Sequence, residues 1–346
     1  MENNNFDDRR YEFSVPQDPY AGTRHELFYD GIKLGSALLF YRIMCVVIVY
    51  ICYFSVYIYY TGAFDPDYGK VIDYLRDNHY STVTSTAFIM SLNIAVTLSS
   101  LIITFAFIKV IKLRLDGYFA PSREGIKQGL IWAPACFVAN MVISLIINIF
   151  TTYLGDQGIS IPDADFSIKS PSTAAVLMQL AYVILVGPII EETIYRGFIL
   201  GALSRYGSGT AILVSSLAFG LMHGNISQAA SAFATGALYA AIAIRCGSVF
   251  PTIVIHMVNN IIASYSDISD ALNIPSYDAV FSVAVIAVAL AGFYVIFTRH
   301  SFISVKTPDA IPNNGVIKSL VRNPAMLVYF GVLIVELVGA IIEANK

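Results

Sequence analysis

The sequence predicts an all-α fold, a polytopic membrane helix bundle with eight core transmembrane helices and a ninth at the C-terminus. Three observations carry that prediction. Of 346 residues, 56% are hydrophobic and only 13% charged, well below the quarter typical of soluble domains. Nine apolar stretches recur, near 36–60, 83–108, 129–152, 172–204, 209–223, 227–245, 249–265, 279–298 and 325–343, and most reach the ~20 residues that cross hydrocarbon as a helix. The linkers between them alternate in lysine and arginine content, as the two faces of a membrane protein do.

Taken in order, residues 1–34 are polar, rich in Asn, Asp and Arg, and read as a mobile N-terminal tail. The apolar span that follows is too long for a signal-peptide core, so it is expected to be retained as a helix. Residues 35–298 form the core. Arg9, Arg10, Arg24 and Lys33 precede the first span, Lys109, Lys112, Arg114, Arg123 and Lys127 follow the second, and Arg299, Lys306, Lys318 and Arg322 follow the eighth. These segments are expected in the cytoplasm, with the N-terminus, in a multi-pass cell-membrane protein. Linkers 61–82, 153–171 and 266–278 are mostly acidic and fit the opposite face. Residues 299–324 are a basic cytoplasmic linker, and 325–346 hold the extra helix, with Glu336 near its middle in a structural role.

Two spans depart from a simple crossing. The stretch 172–204 is overlong and contains Gly187-Pro188, where proline removes a helical hydrogen bond and is expected to bend the chain beside Glu191. The stretch 209–223 is short and ends at "MHGN", whose Gly224 and Asn225 can stop a helix. If the two form a hairpin at Tyr206-Gly207-Ser208, Glu191 lies sixteen residues before Gly207 and His223 sixteen after it. At about 1.5 Å per residue, acid and imidazole come level. His256 enters from the same side, nine residues after Gly247.

A net charge of -3 without a basic run excludes a nucleic-acid surface. Cys45, Cys52, Cys136 and Cys246 form no CxxC pair and read as small hydrophobes. Asn93 and Asn140 read as interhelical hydrogen-bonders, Ala232-Gly236-Ala240 as a close-packing face, and Tyr59 and Tyr60 as interfacial aromatics.

Glu191, Glu192, Arg196, His223 and His256 are harder to place in lipid, where a charge at mid-helix costs ~2.5–3.5 kcal/mol on insertion scales. Glu192 and Arg196 stand at i,i+4 with the acid nearer the N-terminus, the favoured order for a neutralised pair. Glu191 points about 100 degrees away and is left available as a general base towards water or His223. His256 and Asn260 share one face in "PTIVIHMVNNII" and can donate to one developing oxyanion.

"EETIYR", "FGLMH" and "HMVNN" are EExxxR, FxxxH and HxxxN in that order. The chain thereby resembles the CAAX-protease and bacteriocin-processing family, the Abi or CPBP intramembrane proteases, over 172–265 by motif and 36–298 by hydropathy. The resemblance implies a glutamate-dependent intramembrane endopeptidase with a polar cavity. Glu191 and His223 would activate water, His256 and Asn260 would stabilise the oxyanion, Glu192 and Arg196 would hold the motif helix, and Phe219 would pack beside the site. The expected substrate is a peptide or membrane protein reaching the site from the membrane or the cytoplasmic side, without a cofactor. One alternative binds Zn2+ through Glu191, His223 and His256. Another is a non-catalytic membrane immunity or regulatory binding protein that uses the same cavity.

Overall fold

The computed structural model describes residues 24–113, 118–162, 173–272, 278–305 and 313–345, and the described residues contain helices and no strand. The nine apolar helices are α1 (Arg24–Thr61), α2 (Thr86–Ile111), α3 (Arg123–Asp156), α4 (Thr173–Ser204), α5 (Ser208–Leu221), α6 (Ile226–Cys246), α7 (Phe250–Ala263), α8 (Asp278–Ile303) and α9 (Pro324–Ala344). Polar residues start several of them: Ser85, Ser122, Asn225 and Asn323 each accept from a first-turn N–H that has no helical partner. Gly247, at φ 58°, closes α6 in the left-handed conformation that glycine adopts without strain.

Seven of the nine helices are long and apolar enough to cross a membrane. The other two, α5 and α7, have 14 residues each, about 21 Å of helix against ~30 Å of hydrocarbon. The expected bundle of eight core helices and a ninth at the C-terminus is present, and two of the core helices are too short to span alone. They are sheltered by protein, with Ser215, Ser216, Ala218, Ile255 and His256 among their buried residues.

The predicted tail also ends earlier than expected. Residues 24–34 belong to α1, where Leu27 and Leu34 are buried, while 1–23 lie outside the described residues. In the basic linker, α8 runs on to Ile303, Asn313–Leu320 forms a further helix, and 306–312 lie outside the described residues.

Contacts between linkers show that the helices run up and down. At one end Arg205 and Tyr206 meet Asp30, Asn323 donates to Phe28 O at 2.7 Å, and Val249 N–H donates to Tyr118 O at 3.1 Å. At the other end Asn345 and Ser160 exchange hydrogen bonds of 2.6 and 2.7 Å, and Tyr60 meets Thr82 at 2.9 Å. The outer faces of the long helices expose Ile102, Val283, Phe297 and Val335 as lipid-facing side chains do. Burial is concentrated around α4, whose Ile194, Tyr195, Phe198, Ile199 and Leu200 are enclosed by neighbouring helices. A second cluster joins Trp132 and Cys136 of α3 to Tyr239 and Ile242 of α6 and Ile255 of α7.

Small residues set the closest crossings. A Cβ on Gly292 would meet Pro134 O at 2.3 Å, and one on Gly35 would meet Ala325 C at 2.5 Å. The second crossing brings α9 onto α1, where Arg42 Nε and Nη2 donate to Glu336 Oε1 and Oε2 at 3.2 and 2.6 Å. Glu336 therefore has its partner inside the bundle, and the forked geometry fixes the register of the ninth helix against the first.

Because either charge alone would be left in an apolar surround, Arg42→Leu or Glu336→Leu is expected to lower stability by about 1–3 kcal/mol. The double substitution is expected to lose less than the two singles together. Thermal unfolding of the four proteins in detergent measures the coupling, and strictly additive losses would show that the pair does not hold α9.

Candidate active site

The site begins with an irregular helix. Within α4 the backbone follows α-helix to Ala181, a π-helical turn over Tyr182–Val186, α-helix over Gly187–Glu192 and a second π-helical stretch over Thr193–Leu200. Where a bend is expected at Pro188, the helix changes between π and α registers, with Val186, Gly187 and Thr193 all keeping right-handed helical dihedrals. Gly187 N–H bonds to Tyr182 O, five residues back. In that register the next donor would be residue 188 and its acceptor Val183 O, but proline has no N–H. Asn260 of α7 supplies the missing donor, its Nδ2 lying 2.8 Å from Val183 O.

The second wide stretch is served in the same way. Ser215 Oγ donates to Tyr195 O at 2.7 Å, and Tyr118 Oη donates to Arg196 O at 3.3 Å. A Cβ on Gly197 would lie 2.6 Å from the Phe119 ring, so glycine is needed where the linker crosses the helix. These neighbours hold a backbone that lipid could not solvate.

Glu192 and Arg196 are both fully buried, with Arg196 Nη1 donating to Glu192 Oε1 at 3.0 Å. Arg196 Nη2 donates to Gly236 O at 3.2 Å, and its guanidinium lies 4.2 Å from the Phe219 ring centroid and 5.2 Å from that of Tyr239. His256 Nδ1 lies 3.1 Å from the same Glu192 Oε1, and its Nε2 lies 3.7 Å from Glu191 Oε2. The imidazole therefore stands between the two glutamates, a contact that the i,i+4 spacing with Asn260 did not suggest. Since a carboxylate oxygen only accepts, Nδ1 carries the proton given to Glu192.

Glu191 is partly exposed and, with His223, Phe219, His256 and Asn260, lines a cavity of about 640 Å³. His223 Nδ1 faces Phe219 O at 2.8 Å and Gly220 O at 3.3 Å. Both partners are carbonyls, so Nδ1 donates, and in the neutral ring Nε2 keeps its lone pair. Phe219 stacks edge-on against both imidazoles, at 5.2 Å from His223 and 5.8 Å from His256. All four candidate catalytic residues thus face one space, although one amide N–H of Asn260 is committed to Val183.

Sequence reasoning passed over several lining residues. Tyr239 accepts from Asn259 Nδ2 at 2.8 Å, and both line the cavity. The adjacent asparagines Asn259 and Asn260 were the available signal. Asn140, read as an interhelical hydrogen-bonder, also lines the cavity, whereas Asn93 does bond between helices, to Gln179 at 2.8 Å. Among the described residues no group of three His, Cys, Asp or Glu side chains is placed to hold a metal ion. Glu191, His223 and His256, the alternative zinc set, share the cavity without forming such a cluster.

Residues 173–262 match the model of a family described as type II CAAX prenyl endopeptidase, Rce1-like. The matched segment contains all three motifs, and the match supports a membrane endopeptidase in general. No curated protein and no solved structure matches the chain.

If Asn260 replaces the N–H that Pro188 lacks, Asn260→Ala is expected to cost about 1 kcal/mol. Most of that loss should vanish in a Pro188→Ala background, where residue 188 can donate to Val183 itself. Unfolding of the four proteins tests this, and equal losses in both backgrounds would separate the two residues.

Proposed function

We propose that the chain is an intramembrane endopeptidase that hydrolyses a peptide bond of a membrane-associated peptide or protein through an activated water, without a covalent intermediate. The observation that carries this reading is the series Arg196, Glu192, His256, Glu191, which runs from a fully buried ion pair to the cavity wall.

Each member has a physical role in the proposed reaction. Arg196 keeps Glu192 ionised in an apolar interior, and Glu192 orients the His256 ring by accepting from Nδ1. Glu191, which has no cation of its own, and the free Nε2 of His223 face the cavity, where a water between them can lose a proton as its oxygen attacks the carbonyl carbon. When His256 is protonated at Nε2 as well, its imidazolium is held between two carboxylates and can donate to the oxygen that becomes negative. The remaining amide N–H of Asn260 is a second donor for that oxygen. Collapse of the tetrahedral intermediate breaks the C–N bond, and the proton taken from water passes to the departing amine.

The expected outcome is a loss of roughly 10²–10⁴-fold in cleavage of a membrane-embedded reporter by Glu191→Gln or His223→Gln, with the fold retained. Proteoliposomes containing purified wild-type and variant protein make the comparison. Undiminished cleavage by Glu191→Gln would refute the mechanism. Loss of activity with a chelator and recovery with Zn2+ would favour the metal-dependent form. Full biological function in a Glu191, His223 double variant would favour a binding protein.

A further inference from the structure

The cavity runs from mid-helix positions, Glu191 of α4, Tyr239 of α6 and His256 of α7, towards one end of the bundle. There it is lined by Asn148 of α3, Gln179 of α4, Ser227 of α6 and, past α7, Ser264 and Asp267. Since the helices run up and down, these parts converge on the end that holds the linkers after α1, α3, α5 and α7. The opposite end holds the Arg205–Gly207 turn and the linkers after α2, α6 and α8.

The charge pattern says which end faces the cytoplasm. Among the described residues, eleven lysines and arginines, from Arg24 and Lys33 to Lys318 and Arg322, fall at the end away from the cavity mouth. Among the described residues only Lys70 and Arg76 fall at the mouth end, and Arg42 and Arg196 lie within spans. Such an excess in short linkers marks the cytoplasmic face.

The lining itself adds a chemical restriction. Glu191 and Asp267 face the cavity, and among the described residues no lysine or arginine does. A free C-terminal carboxylate would find no lysine or arginine there to fork onto it, while Gln179, Gln228 and Asn259 offer hydrogen bonds to a peptide backbone.

We propose that the cavity takes its peptide from the non-cytoplasmic face, and that the substrate is an internal segment of a membrane-anchored or exported protein exposed there, not a cytosolic C-terminal tail. The substrate part rests on the hydrolase reading, whereas the side of access rests only on the fold and the charge pattern.

The test uses intact cells expressing the full chain with Cys45, Cys52, Cys136 and Cys246 replaced by alanine. A membrane-impermeant maleimide is expected to label Asp267→Cys at the mouth without permeabilisation, and Arg322→Cys only after it. Asp270→Cys and Lys318→Cys report on the same two ends should either first variant fold poorly. The reverse labelling pattern would overturn the proposal. A reporter segment is then tethered to the membrane on one face or the other, and cleavage of only the non-cytoplasmic one is expected. Cleavage of the cytoplasmic one, or of a free C-terminal tail in preference to an internal segment, would overturn it. If wild type and Glu191→Gln alike cleave neither, hydrolysis itself is refuted, and the labelling alone decides the side of access.

Discussion

The buried pair of Glu192 and Arg196 is the constraint from which the rest of the site follows. Both side chains have zero solvent exposure, and a lone charge there would be strongly destabilising, by roughly 3–5 kcal/mol in comparable cases. Arg196 must therefore be supplied from several directions at once. Glu192 lies one turn before it, Gly236 O approaches from α6, and the faces of Phe219 and Tyr239 cover the guanidinium. That approach leaves little room for a side chain at residue 236, where a Cβ would stand 3.0 Å from Arg196 Nη2 and 3.1 Å from Phe219. The small-residue face of α6 is in this way a consequence of the ion pair. His256 then meets a carboxylate that is already ionised and fixed.

The same economy governs the backbone. A π-helical turn widens the helix and moves carbonyls off their usual partners, which lipid cannot replace. Val183 O, which Pro188 cannot serve, is met by Asn260, and the carbonyls of Tyr195 and Arg196 in the second π-helical stretch accept from Ser215 and Tyr118. The irregular helix and the helices around it thus specify one another. Because Asn260 also lines the cavity, the residue that repairs the backbone is a residue of the site.

What the sequence made legible was local or periodic. Apolar runs marked the helices, basic linkers marked their ends, and i,i+4 spacing identified the Glu192–Arg196 pair, because such pairs need no tertiary information. The depth argument that put Glu191 level with His223 used only helical rise, and both residues do line the cavity. What stayed hidden depended on how helices rotate against one another. Shared spacing put His256 and Asn260 on one helix face, but it could not show that His256 Nδ1 would meet Glu192 or that one amide N–H of Asn260 would go to Val183 O. Glu336 in an apolar span called for a cation in another span, and Arg42 was there to be found. Their pairing rests on a crossing between the first helix and the ninth that no local pattern encodes.

The two short helices connect this architecture to its chemistry. The proposed hydrolysis requires water beside an ionised carboxylate, which a bundle of full-length apolar helices would exclude. α5 and α7 stop after about 21 Å, short of the ~30 Å that a crossing needs. α5 ends in the turn Met222–Asn225, and α7 is broken at Ser264 before a short helix, Tyr265–Ala271; irregular backbone of this kind is tolerated in a membrane protein where protein buries it or where it faces a water-filled space. His223 and Ser264 both line the cavity at those ends. Shortening these helices creates the polar space, and the ion pair behind it keeps Glu192 and His256 in place on its wall. The long helices α1, α2, α3, α8 and α9 meanwhile keep the bundle in the bilayer.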